Sequence, residues 1–147
     1  MDFRSSISGM YIIKKCLIVP VMENSDEGVL KNLGKEVLNR LKETDITGVL
    51  IDVSAVSILS SYGFSILKNM SAAISMMGAS AIFVGFQPGV ASSLVDLNLD
   101  LNNIITALTT EDAFMMLDNN SDKREQTGDD QASEEELNLS IKESDDQ

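Results

Sequence analysis

Two adjacent serines, Ser60 and Ser61, stand where an apolar strand passes through a short loop into a helix. The first backbone N–H groups of a helix lack partners within the helix, and the helix dipole places partial positive charge there. A serine hydroxyl at such a position can carry a phosphoryl group. The added charge of about −1.5 to −2 then meets a backbone that favours anions. The serine pair is therefore a candidate phosphorylation site.

The same residues also fit a plain helix cap. A serine at the N-terminal cap accepts a backbone N–H and contributes about 1 kcal/mol to stability. Physical chemistry alone favours the cap, because most helices begin this way. Asp52, near the end of the preceding strand, is expected to accept N–H groups of the following loop, since a carboxylate there needs partners. A structural role for Asp52 is favoured over a functional one.

The composition excludes the common catalytic sites. The 147 residues include no histidine, which removes the usual general base and the usual metal ligand. Neither a Ser-His-Asp nor a Cys-His arrangement can be built. No strand runs into a Gly-rich turn that ends in Gly-Lys-Ser/Thr, so a P-loop is absent as well. We therefore expect a protein that is not an enzyme, with no catalytic residue, no metal site and no cofactor.

The elements that position the serines follow the order β-β-α-β-α-β-α-β-α. Crossovers through helices imply parallel strands, so the predicted fold class is α/β, with a mixed, mostly parallel sheet of about five strands and about four helices. An apolar hairpin broken at Lys14 and Lys15 supplies the antiparallel part. The predicted helices cover residues 26–43, 60–77, 90–97 and 109–117, and the predicted strands cover residues 10–13, 16–22, 48–53, 79–84 and 102–107.

Within the helices, apolar residues recur at spacings of three and four, which predicts one buried face on each. Ser25 or Asp26 is expected to cap the first helix. The three methionines of the second helix, Met70, Met76 and Met77, are expected to fill the core rather than to bind a metal.

The charge is concentrated at the C-terminus. Residues 118–147 hold 11 acidic and 3 basic side chains, whereas the whole chain has a net charge of −12. Such a segment buries too little apolar area to offset its ordering entropy. We therefore predict a domain over residues 1–117 and a disordered acidic tail over residues 118–147.

The charge and the apolar runs also limit location and partners. An acidic chain with one basic pair in its body is not suited to nucleic acid or to an anionic membrane surface. Its single cysteine, Cys16, fits a reducing compartment. No apolar run reaches the roughly 18 residues that span a bilayer, and the start has no secretion signal. The cytoplasm is the expected location, with no nucleic acid and no membrane among the partners.

Three segments resemble one known family. Residues 48–63, GVLIDVSAVSILSSYG, resemble the central motif of STAS domains, which occur in anti-sigma-factor antagonists and sulfate transporters. Residues 76–91, MMGASAIFVGFQPGVA, and residues 105–113, ITALTTEDA, are similar to the stressosome members of that family. The resemblance covers residues 10–117 and is strongest to the short scaffold subunit of the RsbS type. It implies the STAS fold, also called SpoIIAA-like.

The resemblance implies specific roles. Ser61 matches the phosphorylatable serine of the family motif. The family usually has Asp immediately before it, and Ser60 stands there in this chain, either as a second acceptor or because the kinase has other requirements. Ser25 lies near a second phosphorylation position of the larger paralogues. The residues implied in partner binding are Asp52, Ser57, Ser60, Ser61 and Tyr62.

The implied function is a non-enzymatic phospho-switch. A scaffold of this type sequesters a switch serine/threonine kinase of the RsbT type and releases it once the serine is phosphorylated. Its other partners are larger sensor paralogues of the RsbR type and a phosphatase, in a homo- or hetero-oligomer. One alternative is a free antagonist that binds an anti-sigma kinase. Another is a STAS module that binds a small molecule or lipid.

Overall fold

The computed structural model describes residues 9–123; residues 1–8 and 124–147 lie outside the described part. By its contacts the chain divides into two units, Met1–Ala113 and Phe114–Gln147. A last helix, α4, covers residues 110–123. The preceding elements, in chain order, are β1 Tyr11–Ile13, β2 Cys16–Pro20, α1 Glu27–Glu43, β3 Gly48–Asp52, α2 Ser61–Met76, β4 Ser80–Val84, α3 Pro88–Asp96 and β5 Thr106–Ala107.

The five strands form one sheet in the order β1-β2-β3-β4-β5. β1 pairs antiparallel with β2, and the other three pairs are parallel. The predicted mixed sheet is confirmed. β3 lies at its centre, and Val49, Leu50 and Ile51 are all buried, as expected for a strand covered on both faces. Pro20 ends β2, where its missing N–H removes no bond from the middle of the ladder.

The β1–β2 hairpin turns at the two lysines. Lys14 and Lys15 both have positive φ, 50° and 64°, which is the type I′ geometry that matches the twist of two paired strands. Ile13 pairs with Cys16 directly across this turn. The predicted hairpin is confirmed, although lysines replace the usual Asn-Gly.

The main core lies between one face of the sheet and helices α1 and α2. Every second residue of β2 and β3 points into it, as Leu17, Val19, Val49 and Ile51 show. Each side chain of this size contributes about 1.5–3 kcal/mol when fully buried. The core therefore fixes the carboxyl ends of the parallel strands, where the serine loop begins. The helical residues buried against these strands are Leu30, Val37, Leu67, Met70 and Ile74.

The prediction of a core position was wrong for two of the three methionines. Met70 is buried, but Met76 is 88% exposed and Met77 is 47% exposed. Met76 follows the buried Ile74 by two residues, a rotation of about 200° that carries it to the opposite face of the helix. Met77 is the C-cap, where the helix ends. Gly78 follows in the left-handed conformation, with φ 87°, where glycine is common after a helix end.

β5 is shorter than the predicted strand over residues 102–107. Only Thr106–Ala107 pairs with β4. The chain turns before that point, because the Asp100 carboxylate accepts the Asn102 N–H at 3.0 Å and Asn103 has φ 67°. Lys68 of α2 holds this turn, since its Nζ donates to the Asp100 carbonyl at 2.6 Å and lies 3.4 Å from the carboxylate.

α4 begins where the sequence indicates and continues further than expected. The Thr109 hydroxyl accepts the Asp112 N–H at 3.1 Å and caps the helix. The helix extends through residues 118–123, six residues past the predicted domain end, and the Ser121 hydroxyl donates to the Leu117 carbonyl at 3.1 Å. The rest of the predicted disordered tail, residues 124–147, lies outside the described residues.

Candidate functional site

The site begins at the carboxyl end of β3. The Asp52 carboxylate accepts the Ser54 N–H at 3.0 Å, and the Val53 N–H donates to the Val84 carbonyl at 2.9 Å. The expectation that Asp52 accepts a loop N–H is confirmed. Asp52 thus shapes the first turn of the loop over residues 53–60.

The loop is held from the side of β4 and α3. The Gln87 side-chain amide donates to the Ser54 carbonyl at 2.8 Å. Gly85 has φ 79°, and a Cβ built on it would lie 2.9 Å from the Ser54 Cβ. Real Cβ atoms do not approach so closely, so glycine lets the two loops touch. The serine loop is therefore fixed against the β4–α3 turn.

A second contact holds the loop from the side of α1. The Ser57 hydroxyl donates to the Glu23 carboxylate at 2.7 Å. Glu23 lies between β2 and α1, 34 residues earlier in the chain. Ile58, the residue after Ser57, is 84% exposed. The loop thus presents an apolar side chain to solvent from a backbone anchored on both sides.

The two serines at the start of α2 have different positions. Ser60 is the N-cap, and its hydroxyl accepts the Gly63 N–H at 2.9 Å. Ser61 is the first helical residue and is exposed. Its hydroxyl has no hydrogen-bond partner within residues 9–123. The plain cap is thus confirmed for Ser60, while the Ser61 hydroxyl is left unused.

The start of α2 remains suited to an anion. Its first turn carries no acidic side chain, so nothing neutralises the positive end of the helix dipole from within the helix. The Ser60 side chain satisfies one of the first backbone N–H groups, that of Gly63. The N–H groups of Ser61 and Tyr62 point toward the helix start without a helical acceptor. A negative group on Ser61 would lie beside these donors.

Tyr62 contacts a lysine of the neighbouring helix α1. Lys31 of α1 donates to the Tyr62 hydroxyl at 3.1 Å, and its ammonium lies 5.4 Å from the ring centre. The hydrogen bond to Tyr62 raises the pKa of Lys31 above its ordinary value. Lys31 therefore remains charged at neutral pH and ties α1 to the first turn of α2.

Ser25 lies across a groove from Ser60. The groove has a volume of about 570 Å³ and lies between the first turns of α1 and α2. Asp26 caps α1 by accepting the Val29 N–H at 2.8 Å, and Glu27 follows it. The Ser25 hydroxyl donates to the Met22 carbonyl at 2.8 Å. The residues that line the groove are Ser25, Asp26, Glu27, Gly28, Leu30, Ile58, Leu59, Ser60 and Gly63.

The structure thus gathers the predicted residues at one place: Asp52 ends β3, Ser57 and Ser60 lie on the loop, and Ser61 and Tyr62 begin α2. Ser25 lies opposite them. Three residues that the sequence did not indicate also contact this loop or helix from other elements: Glu23, Lys31 and Gln87. Their partners lie 31–34 residues away in the chain. No local pattern identifies such contacts.

Two other kinds of site are absent from residues 9–123. No group of three or more His, Cys, Asp or Glu side chains there could hold a metal ion. None of the helices in that part of the chain has the length and apolar content needed to cross a membrane.

The comparison with known families decides the classification. Residues 9–113 match the profile of the STAS domain, a span that includes all five strands and the serine loop. The chain belongs to the STAS-domain family. The resemblance seen in the sequence is confirmed, and the five-stranded mixed sheet with four helices is the STAS fold.

One curated relative and one solved structure illustrate the similarity. RsbRA of Bacillus subtilis (strain 168), named an RsbT co-antagonist protein, is 24% identical over 100 residues; the match covers 68% of this chain and 36% of RsbRA. This chain thus spans about a third of that relative. A serine-to-glutamate variant of RsbS from Moorella thermoacetica superposes with a TM-score of 0.67 at 22% identity, covering 76% of this chain and 97% of RsbS.

A chain of the stressosome itself, described as a signal integration and transduction hub, has the same fold. It superposes with a TM-score of 0.66 at 23% identity and covers 76% of this chain and 97% of its own length. At these identities the similarity of the structures concerns the fold.

Proposed function

We propose that this STAS protein is a non-enzymatic phospho-switch scaffold of a bacterial stressosome, with Ser61 as its phosphorylation site. One observation carries the proposal. Ser60 already caps α2, so the adjacent Ser61 hydroxyl is exposed and unused at the positive end of the helix. One serine is enough to cap the helix, so capping does not explain the hydroxyl of Ser61. Ser60 is a second candidate acceptor, but its hydroxyl would first have to leave the Gly63 N–H.

The unmodified protein holds a switch serine/threonine kinase on the surface around Ser61. Ile58 and Tyr62 are exposed on this surface, and buried contacts of aliphatic and aromatic side chains are what stabilise protein interfaces. Phosphate on Ser61 places about −1.5 to −2 charges among them. Desolvating that charge opposes the contact, so the kinase is released. RsbR-type paralogues, an RsbT-type kinase and a phosphatase complete this cytoplasmic assembly.

The residue at position 60 affects how readily Ser61 accepts a phosphoryl group. Asp26 and Glu27 line the same groove as Ser60. A carboxylate at position 60, as the family motif has, would add a third negative charge to that groove. With serine there, a phosphate on Ser61 meets less repulsion. Ser25, whose hydroxyl contacts the Met22 carbonyl, is the remaining candidate acceptor.

The test is intact mass after incubation of the full chain with the cognate kinase and ATP. Wild type is expected to gain one phosphoryl group and Ser61→Ala none. Ser65→Ala is the matched control, since Ser65 is an exposed serine one turn later in α2. Full phosphorylation of Ser61→Ala would overturn the assignment. The size of the native complex distinguishes a large scaffold shared with STAS paralogues from a free antagonist bound to one kinase.

One observation favours a second function, the binding of an apolar ligand. A groove of about 500 Å³ lies between α3 and β5, with no ionisable side chain in its lining. Phe86, Leu94 and Ile104 are among its apolar residues. Native mass spectrometry of the purified protein tests this function, because a bound small molecule or lipid would appear as a mass above that of the chain.

A further inference from the structure

A groove between α1 and α2 combines an apolar surface with two lysines. Its volume is about 330 Å³. Lys31 and Lys35, one turn apart on α1, line it and are exposed. No acidic side chain lines it. The apolar residues of the lining are Leu30, Leu38, Ile66, Met70 and Ala73.

The two lysines have no anionic partner among residues 9–123. Neither forms an ion pair there, and Lys31 donates instead to the neutral Tyr62 hydroxyl at 3.1 Å. The whole chain has a net charge of −12, so this pair of cations beside apolar side chains differs from the overall charge. Such a groove suits a ligand that is partly apolar and negatively charged.

A glycine keeps this groove open. Gly34 lies in the middle of α1, where glycine costs about 1 kcal/mol relative to alanine. Its φ is not positive. A Cβ built on Gly34 would lie 3.5 Å from the Met70 Cε, an ordinary contact distance. Neither the backbone nor the packing therefore requires glycine here, and the missing side chain leaves room between the helices.

The same chain contains a segment of complementary chemistry outside the described residues. Residues 134–141 read EEELNLSI, three glutamates followed by Leu137, Leu139 and Ile141. Three apolar residues are too few to form a core by themselves. The eleven residues from position 123 to position 134 span up to about 36–40 Å when extended. That is similar to the diameter of a domain of this size, about 35 Å, so the connection is long enough to reach the groove.

We propose that residues 134–141 bind in the α1–α2 groove, with the glutamates beside the two lysines and the apolar side chains against the groove surface. Charge selects this groove over two others. The groove beside Ser60 contains Asp26 and Glu27, which repel glutamates. The α3–β5 groove has no ionisable side chain to pair with them.

A bound segment would limit access to the surface around Ser61. Lys31 lines the groove and also contacts Tyr62 in the first turn of α2, so the segment and a kinase would compete there. This consequence rests on the proposed function, whereas the binding of the segment does not. Full-length Leu139→Asn is therefore expected to bind the kinase more tightly than wild type. Equal affinity would overturn the competition, while spectra of the chain without kinase decide the binding itself.

The test uses the full chain with a nitroxide spin label on Ser133→Cys. The native Cys16 is buried, so the label attaches at position 133. Bound glutamates would bring the label to the groove, and the amide signals of Gly34, Asn69 and Ala73 are expected to broaden more than that of Val95 on α3. This preference should be lost in 1 M salt, where the Debye length is about 3 Å.

Two pairs of variants test the two kinds of contact. Lys35→Glu reverses a charge in the groove and should abolish the selective broadening. Lys14→Glu makes the same change on the exposed hairpin turn and should leave it intact. In the segment, Leu139→Asn should abolish it, whereas Asn138→Ser, a polar exchange at the neighbouring position, should not.

Three results would overturn the proposal. Broadening spread equally over the groove and α3 would mean that the segment has no preferred site. Selective broadening that persists in Lys35→Glu would place the segment elsewhere. Broadening between labelled and unlabelled molecules in a mixed sample, but not within one molecule, would show that the segment binds another copy.

Discussion

The different positions of Ser60 and Ser61 predict different effects of the same substitution. Ser60→Ala removes the hydroxyl that accepts the Gly63 N–H at 2.9 Å. Loss of an N-terminal cap costs about 1 kcal/mol, within a range of about 0.5–2. For a domain of this size, that lowers the melting temperature by about 4 °C. Ser61→Ala removes a hydroxyl with no partner in the described residues, so its change in unfolding free energy should stay within about 0.5 kcal/mol.

The assay is urea unfolding followed by circular dichroism, with the same slope assumed for each variant. Ser60→Asp is the matched rescue, because aspartate also caps and favours the helix dipole. Repulsion from Asp26 and Glu27 in the same groove offsets part of that gain, so its stability should be close to wild type. If Ser60→Ala is as stable as wild type, or Ser61→Ala loses as much as Ser60→Ala, the assigned roles of the two serines are wrong.

Three further variants test the loop and the turn before β5. Gly85→Ala should lower the unfolding free energy by about 1–3 kcal/mol in urea, since it strains a positive φ and its Cβ meets the neighbouring loop; Gly89→Ala meets nothing within 4 Å and should be neutral or slightly stabilising. Ser57→Ala removes the hydrogen bond to Glu23. It should speed amide hydrogen exchange in the serine loop without changing global stability by more than about 1 kcal/mol. Unchanged exchange would show that this bond does not hold the loop. The hydrogen bond from the Asn102 N–H, together with a lysine ion pair, lowers the pKa of Asp100, so its stabilising contribution is present above the ordinary carboxyl pKa and lost as the pH falls through the lower folded value. Acid unfolding of Asp100→Asn should therefore lack this part of the pH dependence, and an identical acid profile would contradict it.

Local patterns predicted most of the fold because they depend on neighbouring residues. The apolar run at residues 48–53 indicated the central strand, and the break at Lys14 and Lys15 indicated the hairpin. Asp52 was expected to accept a loop N–H, and it does. The motif around Ser61 indicated the STAS family, which the family comparison confirms.

The remainder depends on residues that are distant in the chain. The bond from Ser57 to Glu23 and that from Lys31 to Tyr62 join residues 34 and 31 positions apart, and no periodicity identifies them. The prediction that Met76 lies in the core was wrong. Its apolar side chain indicated the core, whereas its position around the helix places it in solvent. The length of β5 depended on the Asp100 turn, which breaks an otherwise strand-like pattern.

In the proposed switch, phosphate on Ser61 releases a kinase from this surface. The direct measurement is calorimetric titration of the cognate kinase into the full chain, once unmodified and once with phosphoserine installed at position 61 during synthesis. Phosphorylation is expected to weaken binding at least about tenfold, because the charge must be desolvated beside the apolar contacts of Ile58 and Tyr62. Equal or tighter binding of the phosphorylated chain would contradict it.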